Sequence, residues 1–323
     1  MNMSDQIPVP AALPALPSAS RSTVSVTHFS MILGLSGLGY ALLNAAKLWG
    51  IPPILGELEL EMSFAIWCAL VLRYQIRLIR QPRQIIEEYH DPVSCSIASL
   101  IGVSTLVFVP AAAAYSLIAA WSLAIVGIAW HLGFSAWHTA RLWRGNRNTT
   151  DTTPALYLPD VAGNFTSAAA LGVLGQPDWA WLFLGAGLFS WLSLEPVIKA
   201  SIIHGAALAP ARRPLMGIQA APAVVCAASV LFIEPHIAGP WVMLLLGYGL
   251  YQLIHGLRLT SWLKEQPFTR SYWAYTFGMT SALNCCLKLA LGGSGAARVL
   301  AVPLMAAVSS FIVYLGARTL LSR

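Results

Sequence analysis

Residues 94–147 read SCSIASLIGVSTLVFVPAAAAYSLIAAWSLAIVGIAWHLGFSAWHTARLWRGNR. Two apolar runs of about twenty residues, each long enough to cross a hydrocarbon core, follow one another here with only a short turn between them. The first, 94–114, is built of small residues and carries Pro110. The second, 117–140, carries Trp121, Trp130, Phe134 and Trp137 and ends on Arg141, Arg144 and Arg147. The stretch reads as a membrane hairpin whose second helix returns to a basic loop.

The rest of the chain repeats this pattern. Of its 323 residues, 57% are hydrophobic and 10% charged, and the mean hydropathy is +0.67, which excludes a water-soluble domain of this length. Ten spans are expected, near 29–49, 60–79, 94–114, 117–140, 159–175, 179–202, 214–232, 238–258, 271–291 and 298–320. The fold class is an all-α polytopic membrane protein with ten transmembrane helices in five hairpins. Residues 1–27, with Pro8, Pro10, Pro14 and Pro17, read as a disordered tail, and 28–323 as the transmembrane domain. The tail lacks the basic start of a signal peptide, so the first span is expected to be retained.

The basic residues give the spans a direction. Odd-numbered gaps hold only Lys47, Lys288 and Arg298, whereas the even-numbered gaps and the two termini hold the other sixteen of the nineteen. The positive-inside rule places both termini and the even gaps in the cytoplasm. The net charge of +6 is this topogenic bias and requires no nucleic acid. Glu57, Glu59, Glu61, Asp178 and Glu234 are expected in outward loops. The five cysteines form no paired framework and are expected to be free thiols.

The third, fifth and seventh spans contain few aromatics but carry Asn164, Thr166, Ser167, Gln219 and the prolines Pro110 and Pro222. The fourth, sixth and eighth carry twelve aromatics. Small residues let backbones approach closely, and large aromatics suit lipid and interface. The expected arrangement is an inner set of odd helices around a central pore, with the even helices outside.

No nucleophile elbow, HExxH, Walker loop or dinucleotide fingerprint is present, so no enzyme, cofactor or metal centre is expected. His131 and His138 share one helix face and are read as hydrogen-bonded within the bundle. Glu195, before Pro196, is a candidate coupling carboxylate; its structural reading is an acid capping a new helix and paired with a loop arginine. Lys47, Lys288 and Arg298 would cluster at the outer mouth if the helices close into a ring, raising the local anion concentration. Cys285 and Cys286 are read as small buried hydrophobes.

Several runs carry a family resemblance: LWRG at 142–145, NFTSA at 164–168, LGAGLFSWLSLEPV at 184–197, GIQ at 217–219 and WAYTFG at 273–278. By these the chain resembles the TehA-type tellurite-resistance/dicarboxylate transporter family, which includes the slow anion channels of plant guard cells. The resemblance implies five hairpins with the odd helices lining a pore, a homotrimer in a bacterial inner membrane, and small inorganic anions as partners. It also implies occlusion by a phenylalanine in the ninth helix, here Phe277, about 9 Å into the membrane from Ser271. Phe29, Ser30, Gly34, Asn164, Phe165, Gln219 and Pro222 are the accompanying pore-lining candidates. One departure stands out: Phe29-Ser30 replaces the family's usual Phe-Gly, and its hydroxymethyl would narrow the pore or offer it a hydroxyl. The leading function is passive anion conduction through a neutral pore gated by Phe277. The alternatives are a coupled exporter of tellurite or lipophilic cations, a proton-linked dicarboxylate transporter using Glu195, and a thiol-dependent detoxifier using Cys285 or Cys286.

Overall fold

A computed structural model of the chain describes residues 25–234 and 239–322. Most of the tail expected over 1–27 lies outside the described residues; its end forms a 3-10 turn, Val26–His28, that leads into the first helix. The described residues are helical, without strands. In order they form α1 (Phe29–Trp49), α2 (Ile54–Arg80), α3 (Pro82–His90), α4 (Pro92–Ala98), α5 (Leu100–Leu106), α6 (Val109–Tyr115) and α7 (Leu117–Leu142). There follow α8 (Gly163–Val173), α9 (Pro177–His204), α10 (Ala221–Ile233), α11 (Gly239–Arg258), α12 (Thr260–Leu263), α13 (Ala274–Leu291) and α14 (Gly295–Leu321). Among the described residues, six stretches are long and apolar enough to cross a membrane: Val26–Trp49, Pro92–Tyr115, Leu117–Leu142, Pro177–His204, Pro210–Ile233 and Gly295–Leu321.

Packing divides the elements into two kinds. Helix α1 packs on α13 and α5, α5 on α8, α8 on α10, and α10 back on α13, so the contacts close on themselves. Each member also pairs with the long helix that follows it: α2 on α1, α7 on α5, α9 on α8, α11 on α10 and α14 on α13. Within their most apolar stretches, 61% of Val26–Trp49, 61% of Pro92–Tyr115 and 83% of Pro210–Ile233 is buried. The corresponding shares of Leu117–Leu142, Pro177–His204 and Gly295–Leu321 are 28%, 22% and 22%. Among the aromatics of the long helices, Trp179, Phe189 and Trp241 are exposed while Phe134 and Trp191 are buried, so these helices use one face for packing.

The buried segments are also the irregular ones. α4, α5 and α6 form one rod broken twice; α8 follows a π turn over Leu158–Ala162; α10 follows a 3-10 run over Pro210–Ala220; α13 follows a 3-10 turn over Arg270–Trp273. Pro110 and Pro222 occupy the first turns of α6 and α10, where the missing N–H leaves no hydrogen bond unmade. Irregular backbone at membrane depth is tolerated where protein covers it. Glycine lets α1 approach α13 closely: a Cβ on Gly34 would lie 2.4 Å from Thr276 Oγ1, and one on Gly37 2.2 Å from Thr280 Oγ1.

Two expectations are corrected here. Glu57, Glu59 and Glu61 lie in the opening turns of α2, and Asp178 in the first turn of α9, rather than in loops. Carboxylates favour the positive N-terminal end of a helix, and Pro53 or Pro177 starts each one. Helix α9 also runs through Pro196, so Glu195 caps no new helix.

Candidate functional site

Two neighbouring cavities lie within the circuit of buried segments. The smaller, about 40 Å³, is walled by Ser30, Leu100, Phe165, Pro222 and Phe277 among others, and every lining residue comes from the first, third, fifth, seventh or ninth helical segment. Its lining includes the hydroxyl residues Thr27, Ser30, Tyr157 and Ser271, and no charged side chain among the described residues lines it. The larger, about 680 Å³, runs along α1, α6, α8, α10 and α13 and reaches Lys47, Lys288, Glu57 and Glu61. Leu33, Val225 and Phe277 line both cavities and, among the described residues, are the only ones to do so. They form the partition. Phe277 is the largest of the three, and it is only partly buried, as a side chain facing open space must be.

The sequence candidates divide against this geometry. Ser30, Phe165 and Pro222 line the small cavity; Ser30 turns its hydroxyl back to the Thr27 carbonyl at 2.6 Å, so it narrows the space without presenting a free donor. Phe29, Gly34, Asn164 and Gln219 line neither cavity. Phe29 packs edge-on against Tyr74 of α2, and Gly34 is closed off by Thr276. Asn164 is held by His131 at 3.1 Å, and Gln219 by Tyr157 and Glu195 at 3.1 Å each. Lys47 and Lys288 reach the large cavity, but Arg298 is exposed and does not line it. The expected trio of cations is thus a pair, and Glu57 and Glu61 balance its formal charge.

Sequence reasoning missed the ladder above the partition. On α13, Phe277, Thr280, Ser281, Asn284 and Lys288 recur at helical spacing along one face, opposite Gly37, Tyr40, Asn44 and Lys47 of α1. Asn44 Nδ2 donates to Asn284 Oδ1 at 2.9 Å, while Asn284 Nδ2 donates to the carbonyls of Gly37 and Thr280, each at 2.9 Å. This pins α13, and with it the Phe277 backbone, to α1. The spacing of polar residues from 280 to 288 was the available signal.

Residues 23–320 match the voltage-dependent anion channel family. The chain belongs to that family. It is also 33% identical over 258 residues to the tellurite resistance protein TehA homolog of Haemophilus influenzae, covering 80% of this chain and 78% of that protein. Family membership and the apolar helices make this chain a multi-pass membrane protein of the anion channel or transporter type, in agreement with the resemblance read from its motifs.

In this anion channel family member the other deep polar groups hold helices together. Glu195 accepts from Tyr157 Oη at 2.5 Å, Tyr248 Oη at 2.7 Å, Trp191 Nε1 at 2.8 Å and Gln219 Nε2 at 3.1 Å, and pairs with Lys199 at 2.8 Å. Its cationic partner is therefore one turn along its own helix, not a loop arginine. Through Tyr157, which lines the small cavity, this cluster reaches the cavity wall. Asp160, in the π turn, accepts from the hydroxyls of Ser135 and Thr139 on α7; sequence reasoning passed it over. His131 and His138 bond separately, to Asn164 and to Ser96, each at 3.1 Å. Cys226, Cys285 and Cys286 are free and buried.

The far end of the small cavity carries a collar. Arg270 Nη1 donates to His28 Nε2 at 2.8 Å. An arginine only donates, so Nε2 accepts and the Nδ1–H donates to the Ser25 carbonyl at 3.0 Å. Glu88 accepts from Ser25 Oγ at 2.5 Å and from the Val26 N–H at 3.0 Å, and pairs with Arg77 at 2.7 Å. Helices α2 and α3 thereby fix the turn that presents Thr27 to the cavity.

Proposed function

We propose that this chain is a passive anion channel of the tellurite-resistance and slow anion channel type, closed at Phe277. Its ten helical passes each cross the membrane, the odd ones forming an inner ring and the even ones an outer layer. The observation that carries this reading is the pair of neighbouring cavities that, among the described residues, share only Phe277, Leu33 and Val225 in their walls. A phenyl ring across a narrow apolar constriction blocks by occlusion and dewetting.

The small cavity has hydroxyls but no fixed charge. Anions that shed water at low cost, such as nitrate and iodide, are then favoured over strongly hydrated ones. Positive-inside bias supports cytoplasmic termini, and the family resemblance supports a homotrimer in the bacterial inner membrane. The outward faces of the even passes would meet lipid and neighbouring subunits.

Coupled transport requires a carboxylate whose protonation changes through the cycle. Glu195 is held by four neutral donors and a lysine, contacts that tie α9 to its neighbours and give the carboxylate a structural task. Anion flux into liposomes under an imposed potential, with no proton gradient, tests the proposal: Phe277→Ala should conduct nitrate well above wild type. Flux that appears only with a pH gradient would favour the transporter.

A further inference from the structure

Lys288 stands apart from the other lysines and arginines of the deep helices. It lies one turn from the end of α13, partly buried, and in the wall of the large cavity. Its ammonium sits 3.5 Å from the centre of the Phe232 ring on α10. It takes part in none of the five ion pairs formed among the described residues, which join Arg77, Lys199, Arg212 and Arg213 to carboxylates. Lysine near a helix end ordinarily snorkels to the aqueous interface. This one turns inward over an aromatic face instead.

The ring contact alone does not balance that placement. A cation–π contact contributes about 1–2 kcal/mol, whereas withdrawing an ammonium from water costs several kcal/mol. The cavity offers what the ring does not: about 680 Å³ of space in front of the ammonium. Two turns back along the same face of α13, Ser281 also lines the cavity, and its hydroxyl makes no hydrogen bond among the described residues. Lys47, on the facing helix α1, adds a second positive charge, while Glu57 and Glu61 enter from α2.

We infer that Lys288, with the Phe232 edge of the cavity and the free Ser281 hydroxyl, forms a dwelling site for a small monovalent anion beyond the Phe277 constriction. This rests on the conduction reading above and adds a site to it. The ammonium recovers its counter-ion each time an anion occupies the cavity. One charge, diluted by nearby carboxylates, holds the anion weakly enough to let it go, as conduction demands. Lys47 is exposed and so contributes field rather than a seat.

Two readouts test the inference. Unitary conductance in the Phe277→Ala background should fall roughly threefold or more on Lys288→Gln at about 0.01 M salt. The loss should shrink at about 1 M salt, where screening acts within about 3 Å. Lys288→Arg should recover most of the low-salt conductance, and Lys47→Gln should lose less than Lys288→Gln. Independently, crystals grown in bromide should show an anomalous peak beside Lys288 Nζ, absent from Lys288→Gln. Equal conductance at low salt, or bromide absent from the folded wild type, overturns the site. Absence of any current in Phe277→Ala with the bromide peak present would instead count against the conduction reading and leave the site standing.

Discussion

Glu195→Gln separates a structural acid from a working one. The carboxylate is 15% exposed and distributes five donors over two oxygens: Tyr157 and Trp191 on Oε2; Lys199, Tyr248 and Gln219 on Oε1. Glutamine keeps one acceptor oxygen and gains a donor. With its oxygen toward Lys199, its amide N–H₂ faces the Tyr157 hydroxyl and the Trp191 N–H. The hydroxyl can reverse, but indole nitrogen only donates, so Trp191 loses its partner.

Lys199 also loses its counter-charge, though at 43% exposure it can turn to water and its share is small. One or two lost charge-assisted bonds, at about 1.5–3 kcal/mol each, give a total cost of about 1.5–6 kcal/mol. Thermal denaturation of the detergent-solubilised protein, followed by loss of the monodisperse gel-filtration peak, measures it. The variant should denature well below wild type, yet pass anions in the Phe277→Ala background at temperatures where it remains folded. A variant as stable as wild type that has lost a proton-driven flux would refute this reasoning and return Glu195 to a coupling role.

Three further outcomes follow from the packing. Gly37→Val places a branched side chain where even a Cβ would sit 2.2 Å from Thr280 Oγ1; the α1–α13 contact should open at a cost of about 1–3 kcal/mol, read as a lowered denaturation midpoint. Glu88→Ala removes the carboxylate that pairs with Arg77 and accepts from the Ser25 hydroxyl and the Val26 N–H, and so frees the Ser25–Val26 turn. The expected loss is about 1–3 kcal/mol, with faster backbone hydrogen exchange at residues 25–28. The Cys285→Ser, Cys286→Ser double variant should keep any tellurite resistance the chain confers, because both thiols are fully buried; loss of resistance in a well-folded variant would restore the thiol mechanism.

The hairpin pattern was legible because membrane spans must be long and apolar and their loops carry charge, both written directly into composition. The broken segments were legible in part: Pro110 and Pro222 marked irregularity, but the 3-10 run before Ala221 and the π turn before Gly163 depend on neighbours that cover them. Polar residues in small-residue spans misled. Asn164 and Gln219 turn away from the cavities because a buried amide seeks a partner wherever one is fixed, and the partners here are His131 and Glu195 on the long helices. Ser30 and Phe165 fell on the cavity side of equally bland helices. Leu33 and Val225, which complete the partition with Phe277, carry no signal at all; an apolar residue facing a constriction is spelled like one facing the core. Phe277, which lines both cavities, was singled out only through the WAYTFG motif.

Planar-bilayer recording of wild type and Phe277→Ala, with nitrate, iodide and chloride in turn, tests the central claim most directly. The alanine variant should carry steady anion current many times that of wild type without any proton gradient, largest for the most weakly hydrated anion. Equal, near-zero currents in both, with both folded, would contradict a pore closed at Phe277.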